Sequence, residues 1–287
     1  MIPSEAMKLC VHGVEFRLAI PTENDNAQHF RRLFQDRGQY EAVMAAILAK
    51  LLQTMPDPVF VDMGAFLGYY TCYAAKLLQG RAMVYAVESN PDYVSALNQA
   101  VRLNELDNAR ILHAALSDKV EPLRAVDNTL VADDGETQGH AIISTTFDAL
   151  CGETGLKPTI AKMDVHGFEG RILGGMEATL RQSLQFLLLE LHPNSYLRRY
   201  APGISRMQIL DRLEDAGFHN YLVAGHRYTW SDGMQVFFDT GRFAYQPLSR
   251  ENRGMLLFDR HNHIFVLSSK EPLEPILGPS ALDPSLE

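Results

Sequence analysis

Residues 58–68, PVFVDMGAFLG, decide the fold of this chain. The first part, Val59-Phe60-Val61, is a short apolar run that is typical of a strand buried on both faces. Gly64 and Gly68 follow, and a helical pattern covers Tyr69–Leu78. The segment therefore predicts a strand, a glycine turn and a helix. In an open α/β sheet this arrangement places a ligand crevice at the carboxyl end of the strand.

A second apolar strand is predicted over residues 82–87, and Glu88 follows it directly. An acidic side chain in this position can accept hydrogen bonds from both hydroxyls of a ribose. The glycine turn and Glu88 together indicate a cofactor that contains a nucleoside.

The spacing of the glycines bears on which cofactor this is. A dinucleotide turn reads G-x-G-x-x-G, whereas this turn reads Gly64-x-x-x-Gly68. Asp62 precedes the turn, and its charge would repel a diphosphate but suits a ligand with a cationic end, such as S-adenosyl-L-methionine. An ordinary strand-to-helix turn with an acidic residue remains the alternative interpretation.

Length and composition favour one large α/β domain with additions, because 287 residues with 46% apolar side chains can bury a sizeable core. The formal charge of −9 argues against nucleic acid or an anionic membrane as the main partner. Three separated cysteines, no secretion signal and no apolar stretch of ~18 residues lead us to expect a cytoplasmic protein.

The chain divides into three predicted parts: an N-terminal hairpin and helical extension (1–57), the main domain (58–270) and a disordered tail (271–287). In the extension we expect a hairpin around His12-Gly13 and two helical segments. These helices either cover the crevice, with Tyr40 and Glu41 as candidate pocket residues, or lie on the surface away from it. The tail contains four prolines and few large apolar residues.

The rest of the main domain alternates strands and helices. A third strand is predicted over residues 109–116, where an adenine ring could lie on Ala114 and Ala115. A hairpin or mobile loop is expected over 121–143. Helices are predicted over residues 90–104, 168–181 and 206–217, and a terminal strand pair over 219–224 and 263–268.

Ionisable residues gather at the ends of the fourth and fifth predicted strands, residues 159–165 and 186–191. Lys162, Asp164 and His166 accompany the fourth strand, and Glu190 and His192 the fifth. The carboxyl ends of consecutive parallel strands meet at one edge of a sheet, so these residues are better candidates for a site than for a solvated surface.

With these motifs assembled, the chain resembles the FkbM family of S-adenosylmethionine-dependent methyltransferases. The resemblance rests on the blocks VDMGAFLGYYT at 61–71, VYAVESNP at 84–91, TTFDAL and AKMDVHGFEGRILGGM within 145–176, and LLLELHP at 187–193. It implies a class I methyltransferase fold, a Rossmann-like doubly wound sheet of about seven strands, mostly parallel with the last strand antiparallel. It also implies O-methylation of a small-molecule, natural-product or glycan acceptor.

The chain departs from the family at His166, where the K-x-D-x-E-G block usually has glutamate. This change points to an unusual substrate or to lost activity. A degenerate, non-catalytic cofactor-binding module is therefore the alternative to an enzyme. An NAD-binding oxidoreductase is disfavoured by the missing dinucleotide glycines and by Asp62.

Candidate roles follow from the turn chemistry and the resemblance. Gly64 and Ala65 would pack against the methionine part of the cofactor, Asp62 would hold its ammonium group, and Glu88 its ribose. The full set of expected cofactor-binding residues is Asp62, Gly64, Ala65, Gly68, Glu88, Ser89, Ala115, Asp118 and Asp164.

For the general base we rank His192 first, with His166 and Asp164 as competitors. A His-Pro turn at His192 and a structural ion pair between Lys162 and Asp164 are the plain alternatives.

Metal ligands and the acceptor pocket are less well defined. His261 and His263 share one strand face, and Asp164 with His166 offers a second pair, but two ligands do not make a site, so no metal is expected. The aromatic residues Tyr228, Trp230, Phe237, Phe238 and Tyr245 indicate either a packed lid or a stacking surface for the acceptor. Neither the acceptor nor the oligomeric state can be read from the sequence.

Overall fold

A computed structural model of the chain describes residues 2–225, 231–254 and 263–282. The predictions for Tyr228, Trp230, His261 and residues 283–287 lie outside these ranges. The strands are β1 (Ser4–Val11), β2 (Val14–Pro21), β3 (Phe60–Met63), β4 (Val84–Glu88), β5 (Ala109–His113), β6 (Ala115–Leu116), β7 (Pro122–Val126), β8 (Thr129–Ala132), β9 (His140–Thr145), β10 (Ile160–Met163), β11 (Phe186–Leu191), β12 (His219–Val223), β13 (Tyr245–Pro247) and β14 (Ile264–Ser269).

The helices flank these strands. They are α1 (Asp25–Arg37), α2 (Ala42–Thr54), α3 (Tyr69–Leu78), α4 (Pro91–Leu103), α5 (Phe147–Thr154), α6 (Glu169–Gly174), α7 (Glu177–Gln182), α8 (Asn194–Tyr200), α9 (Arg206–Asp215), α10 (Ser231–Thr240) and α11 (Glu274–Leu277). None of the helices in the described part of the chain is both long enough and apolar enough to cross a bilayer.

The main sheet has the strand order β13-β12-β14-β11-β10-β3-β4-β5. Strands β11, β10, β3, β4 and β5 are parallel, and β14 is antiparallel to both of its neighbours. This confirms the predicted α/β sheet, mostly parallel with the last strand antiparallel. The count is eight strands instead of about seven, because the short strand β13 adds to the edge beside β12.

The predicted strand, turn and helix are all present around Gly64. All four residues of β3 are buried, as expected for a central parallel strand. The backbone N–H groups of Gly64 and Ala65 donate to the carbonyl oxygen of Val87, at 3.0 and 3.2 Å, so the turn is tied to the end of β4. Helix α3 begins after Gly68, whose φ of 86° lies in the left-handed region.

The N-terminal hairpin is also confirmed, with β1 and β2 antiparallel around His12-Gly13. Strand β2 packs on α3 and α4. The side chain of Asn104 pairs with the backbone of Arg17, accepting from its N–H at 2.7 Å and donating to its carbonyl at 2.6 Å. Leu18 and Ile20 are fully buried in a hydrophobic cluster that includes residues of the main domain.

The predicted third strand, residues 109–116, is wrong as a single element. Strand β5 ends at His113. The last backbone hydrogen bond between this segment and β4 runs from Ala114 N–H to the carbonyl oxygen of Glu88. Strand β6 then joins a second sheet in the order β6-β9-β7-β8. Strands β7 and β8 form the hairpin predicted within residues 121–143.

Two further predictions need correction. The helix predicted over 168–181 is divided into α6 and α7 at Gly175, where a Cβ would lie 2.2 Å from Ser117 O and therefore could not fit. The tail predicted to be disordered contains α11, which packs on α2. Leu273 and Leu277 are buried, so two apolar side chains suffice to hold this short helix.

Candidate active site

A cavity of about 500 Å³ lies at the carboxyl ends of β3, β4 and β10. This volume is within the usual range for small-molecule sites, roughly 300–1,000 Å³. Residues of α1 and of the segment before α2 cover it, among them Phe30, Tyr40 and Glu41. The prediction that the N-terminal helices cover the crevice, with Tyr40 and Glu41 in its wall, is confirmed.

The glycine turn forms one wall through Gly64, Ala65 and Phe66. A Cβ on Gly64 would lie 2.1 Å from the carbonyl oxygen of Asp164, and the φ of Gly64 is +74°. Glycine is required because the ends of β3 and β10 approach closely and because the backbone is left-handed. Gly68 starts α3 and is not among the described residues of the wall.

Glu88 lies in the cavity wall with 7% of its surface exposed. Its Oε1 accepts from the N–H groups of Ser89 and Asn90, at 2.8 and 2.9 Å, and its Oε2 accepts from Phe66 N–H at 2.9 Å. Burial raises the pKa of Glu88 above its ordinary value, and the three N–H donors oppose that rise. Since Oε2 has a second lone pair, this carboxylate can still accept from a ribose hydroxyl, as a nucleoside cofactor requires.

The region expected to hold adenine is only partly as predicted. Ala114 and Leu116 line the cavity. Ala115 is fully buried, and Asp118 accepts two hydrogen bonds from the Arg171 guanidinium, at 2.6 and 3.0 Å. Neither Ala115 nor Asp118 is among the described residues that line the cavity.

Asp62 also lies behind the wall. Its Oδ2 accepts from Thr71 Oγ1 at 2.8 Å, and its Oδ1 lies 3.5 Å from Lys162 Nζ. Burial raises the pKa of Asp62, although Lys162 and Thr71 lower it. The structure therefore places Asp62 against Lys162, and not in the described wall where it would meet a ligand.

The end of the cavity that adjoins β10 is polar and includes Lys162, Asp164 and His166. Lys162 Nζ lies 3.9 Å from Asp164 Oδ2, so the ion pair considered from their spacing is present. Burial lowers the pKa of Lys162, but the charges of Asp62 and Asp164 outweigh it and raise the pKa overall. Lys162 therefore remains a cation.

His166 reaches this end from a strained backbone, with φ of 51°. Its Nε2 accepts from Asn128 Nδ2 at 3.1 Å. Burial lowers the pKa of His166. Asn128 lies in the turn between β7 and β8, Thr129 is the first residue of β8, and both line the cavity. The sequence did not single out these two residues, because nothing in residues 121–143 shows which side of the hairpin meets the sheet.

His192 lies behind the wall and is fully buried. Its Nδ1–H donates to Glu169 Oε1 at 2.6 Å, and its ring centroid is 5.0 Å from that of His166. Burial lowers the pKa of His192, but the charge and hydrogen bond of Glu169, with the charges of Glu190 and Asp164, raise it to about 9. The sequence placed His192 at the site but missed Glu169, which α6 buries beneath it.

A second carboxylate and histidine pair lies next to His192. His263 Nδ1–H donates to Glu190 Oε1 at 2.6 Å, and the rings of His192 and His263 are 4.3 Å apart. The sequence placed Glu190 at a strand end and His263 in the terminal strand pair, and the antiparallel contact of β11 with β14 brings them together.

The described aromatic residues of the expected acceptor segment are mostly packed. Phe237 stacks on Phe243 with centroids 5.3 Å apart, and Tyr245 is buried with its Oη donating to Gly278 O at 2.6 Å. Phe238 is 49% exposed. A packed element therefore describes Phe237 and Tyr245 better than a stacking surface does.

Solved structures similar to this one include methyltransferases of low sequence identity. A precorrin-6y C5,15-methyltransferase from Geobacter metallireducens is 16% identical with a TM-score of 0.41, over 80% of this chain and 88% of that one. An S-adenosylmethionine-dependent methyltransferase from Aquifex aeolicus is 14% identical with a TM-score of 0.41, over 84% and 96%.

An Aeropyrum pernix fibrillarin with natively bound S-adenosyl-L-methionine is 12% identical with a TM-score of 0.42. The match covers 93% of this chain and 100% of the fibrillarin chain. These scores are too low to carry an argument about function. No curated protein sequence matches the chain.

The family model gives the decisive comparison. Residues 62–219, more than half of the 287-residue chain, match the methyltransferase FkbM domain. The matched segment begins at Asp62 and includes Glu88, Asp164, His166 and His192. The chain belongs to the FkbM methyltransferase family.

Proposed function

We propose that this FkbM methyltransferase transfers a methyl group to a hydroxyl oxygen of a small-molecule, natural-product or sugar acceptor. One observation carries the proposal: a single covered cavity joins a nucleoside-binding end at Glu88 to a polar end at Asp164 and His166. A donor and a small acceptor can therefore meet in one cavity.

Because the chain belongs to a methyltransferase family, we assign S-adenosyl-L-methionine as its cofactor, which when bound supplies a methyl group on a sulfonium. Glu88 would hold its ribose, and the turn formed by Gly64, Ala65 and Phe66 would hold the methionine part. Ala114 and Leu116 offer apolar surface for the adenine. The buried position of Glu88 and the close packing of the turn support these assignments.

The polar end supports a hydroxyl acceptor. Transfer to a hydroxyl requires that the oxygen be oriented and that its proton be removed. Asp164 and His166 present a carboxylate and an imidazole to the cavity, and the side chains of Asn128 and Thr129 offer further hydrogen bonds. His192 is fully buried and is not among the described residues that line the cavity, so we assign contact with the acceptor to Asp164 and His166.

The cover formed by the N-terminal residues supports a small acceptor over a macromolecule. Tyr69 Oη donates to the carbonyl of Tyr40 at 2.6 Å, and Tyr70 Oη donates to Glu41 at 2.7 Å. These bonds fix the segment before α2 onto α3, directly over the cavity. Together with a net charge of −9, this cover disfavours nucleic acid and anionic membranes as acceptors.

The test combines binding and turnover. Calorimetry should show that S-adenosylhomocysteine binds with one site per chain. Transfer from a methyl-labelled donor should then appear with hydroxylated small molecules or sugars and not with tRNA or rRNA fragments. Label found on nucleic acid would contradict the proposed acceptor class.

A non-catalytic cofactor-binding module is the second candidate, and His166 favours it because the family usually has glutamate in that place. Binding of S-adenosylhomocysteine without transfer to any acceptor in a broad panel would select this candidate. In that case His166→Glu is the variant to examine for recovered transfer.

A further inference from the structure

His192 has one ring nitrogen that its surroundings leave unused. Its Nδ1–H is committed to Glu169 at 2.6 Å, and its Nε2 is buried without a hydrogen-bond partner among the described residues. That nitrogen lies 3.9 Å from Asp164 Oδ1. Metal-binding histidines usually have this arrangement, in which one ring nitrogen donates to a carboxylate and the other is left to bind the ion.

Asp164, His166 and His192 converge from two neighbouring strands. Each can offer one donor atom, and the three atoms lie within 4.8 Å of one another. We propose that these three side chains bind one divalent transition-metal ion beside the cavity. Two imidazole nitrogens and one carboxylate oxygen suit Zn²⁺, Co²⁺, Mn²⁺ or Fe²⁺ better than Mg²⁺ or Ca²⁺, which prefer oxygen ligands.

The distances between the ligand atoms would have to shorten only slightly to bind an ion. Metal bonds to nitrogen and oxygen of about 2.0–2.2 Å place neighbouring ligand atoms roughly 3 Å apart. The observed 3.9 Å between His192 Nε2 and Asp164 Oδ1 can close to this value by side-chain rotation. His192 is held by Glu169, so Asp164 and His166 at the cavity wall are the groups that would move.

The charges around His192 favour a cation. Asp164, Glu169 and Glu190 surround it, and Glu169 and Glu190 are buried. Lys162 lies near Asp164 but is shared with Asp62. Glu169 Oε2 has no hydrogen-bond partner among the described residues. A divalent ion would be attracted to these carboxylates.

A neighbouring trio, Glu190, His192 and His263, also has donor atoms within 4.8 Å. In this second trio the Glu190 carboxylate already accepts from His263 Nδ1 at 2.6 Å, so we assign the ion to the Asp164 side. The Asp164 side also adjoins the cavity, so a coordination position can remain open there. If the proposed function holds, an acceptor hydroxyl can occupy this position, where the ion lowers its pKa.

Metal binding by untagged, chelator-treated protein tests the proposal without cofactor or acceptor. Titration with Co²⁺, followed by visible absorption, should show one ion per chain, and Zn²⁺ should displace it in calorimetry. Asp164→Asn and His166→Ala should each weaken Co²⁺ binding by at least about tenfold. Glu169→Gln leaves the three ligands in place but alters the support of His192, and it should weaken binding about 10- to 100-fold.

His140→Ala is the matched control. His140 also lies beside a carboxylate, 3.5 Å from Asp92, but both side chains are about half exposed. This variant should bind Co²⁺ as the parent does. Circular dichroism should show that every variant is folded. Absence of Co²⁺ binding by folded parent protein, or equal binding by the parent and the Asp164→Asn and His166→Ala variants, would overturn the site. Methyl transfer can fail independently of either result.

Discussion

Nζ of Lys162 lies 3.2 Å from the carbonyl oxygen of Gly64 and 3.5 Å from Oδ1 of Asp62. One ammonium group thus joins β10 to the glycine turn that follows β3. The acid expected to hold the cofactor's ammonium group instead holds a lysine of the protein, and that lysine positions the turn.

Lys162→Met should therefore destabilise the protein strongly. The substitution leaves Asp62 buried without its cation, which costs about 3–5 kcal/mol for a broken buried pair. Urea denaturation followed by circular dichroism should show a lower midpoint. The double variant Lys162→Met with Asp62→Asn should recover part of the loss, because the unpaired charge is gone. A Lys162→Met midpoint equal to that of the parent would mean that the pair contributes nothing.

Gly64→Ala should be much more harmful than Gly80→Ala. Both glycines have left-handed backbones, with φ of +74° and +70°, but an added Cβ meets Asp164 O at 2.1 Å only at position 64. At Gly80 an added Cβ would have nothing within 4 Å. The loss in the free energy of unfolding should then be about 1–2 kcal/mol, from the left-handed backbone alone. For Gly64→Ala we expect more than about 4 kcal/mol or an insoluble product. Equal thermal midpoints for the two variants would contradict the close approach of the strands.

Glu88→Gln should weaken binding of S-adenosylhomocysteine. A lost charged hydrogen bond to a ribose hydroxyl is worth about 1.5–3 kcal/mol, or roughly 10- to 150-fold in the dissociation constant. Calorimetry measures this directly. Glu153→Gln, an exposed glutamate on α5, is the control and should bind as the parent does. If both variants bind equally, Glu88 does not hold the cofactor.

Thiol reactivity should distinguish the three cysteines. Burial raises the pKa of Cys72 to about 12 and that of Cys151 to about 11, whereas Cys10 is exposed. At pH 8 the two raised thiols are almost entirely protonated, and the thiolate is the reactive form. A disulfide reagent should titrate one thiol rapidly in the native protein, which Cys10→Ser removes, and three after unfolding. Rapid reaction of Cys72 in the folded state would show that α3 is not packed as described.

The central elements could be predicted from sequence because their patterns are local. Tyr69–Leu78 and Phe186–Leu191 have the bounds that periodicity and apolar runs gave them. The break at Ala114 could not be predicted in this way. Residues 109–116, ARILHAAL, contain no glycine or proline that would mark a break. The change of sheet depends on β9, which lies more than 20 residues further along the chain.

The candidate site shows the same division. Residue types at strand ends indicated Glu88, Asp164 and His192, but sequence position does not show which side chains reach the cavity. Asp62 and His192 turned out to lie behind its wall. Glu169 was missed because its role depends on tertiary packing, in which α6 places it beneath His192. No local sequence pattern indicates this contact.

The hairpin formed by β7 and β8 affects how the substrate range of this enzyme can evolve. The hairpin supplies Asn128 and Thr129 to the cavity, and Asn128 contacts His166. The hairpin nevertheless belongs to a sheet separate from the one that holds Glu88 and the glycine turn. Mutations in the hairpin can therefore alter acceptor preference while donor binding is preserved. Homologues that differ in residues 121–143 are where new substrate ranges should be sought first.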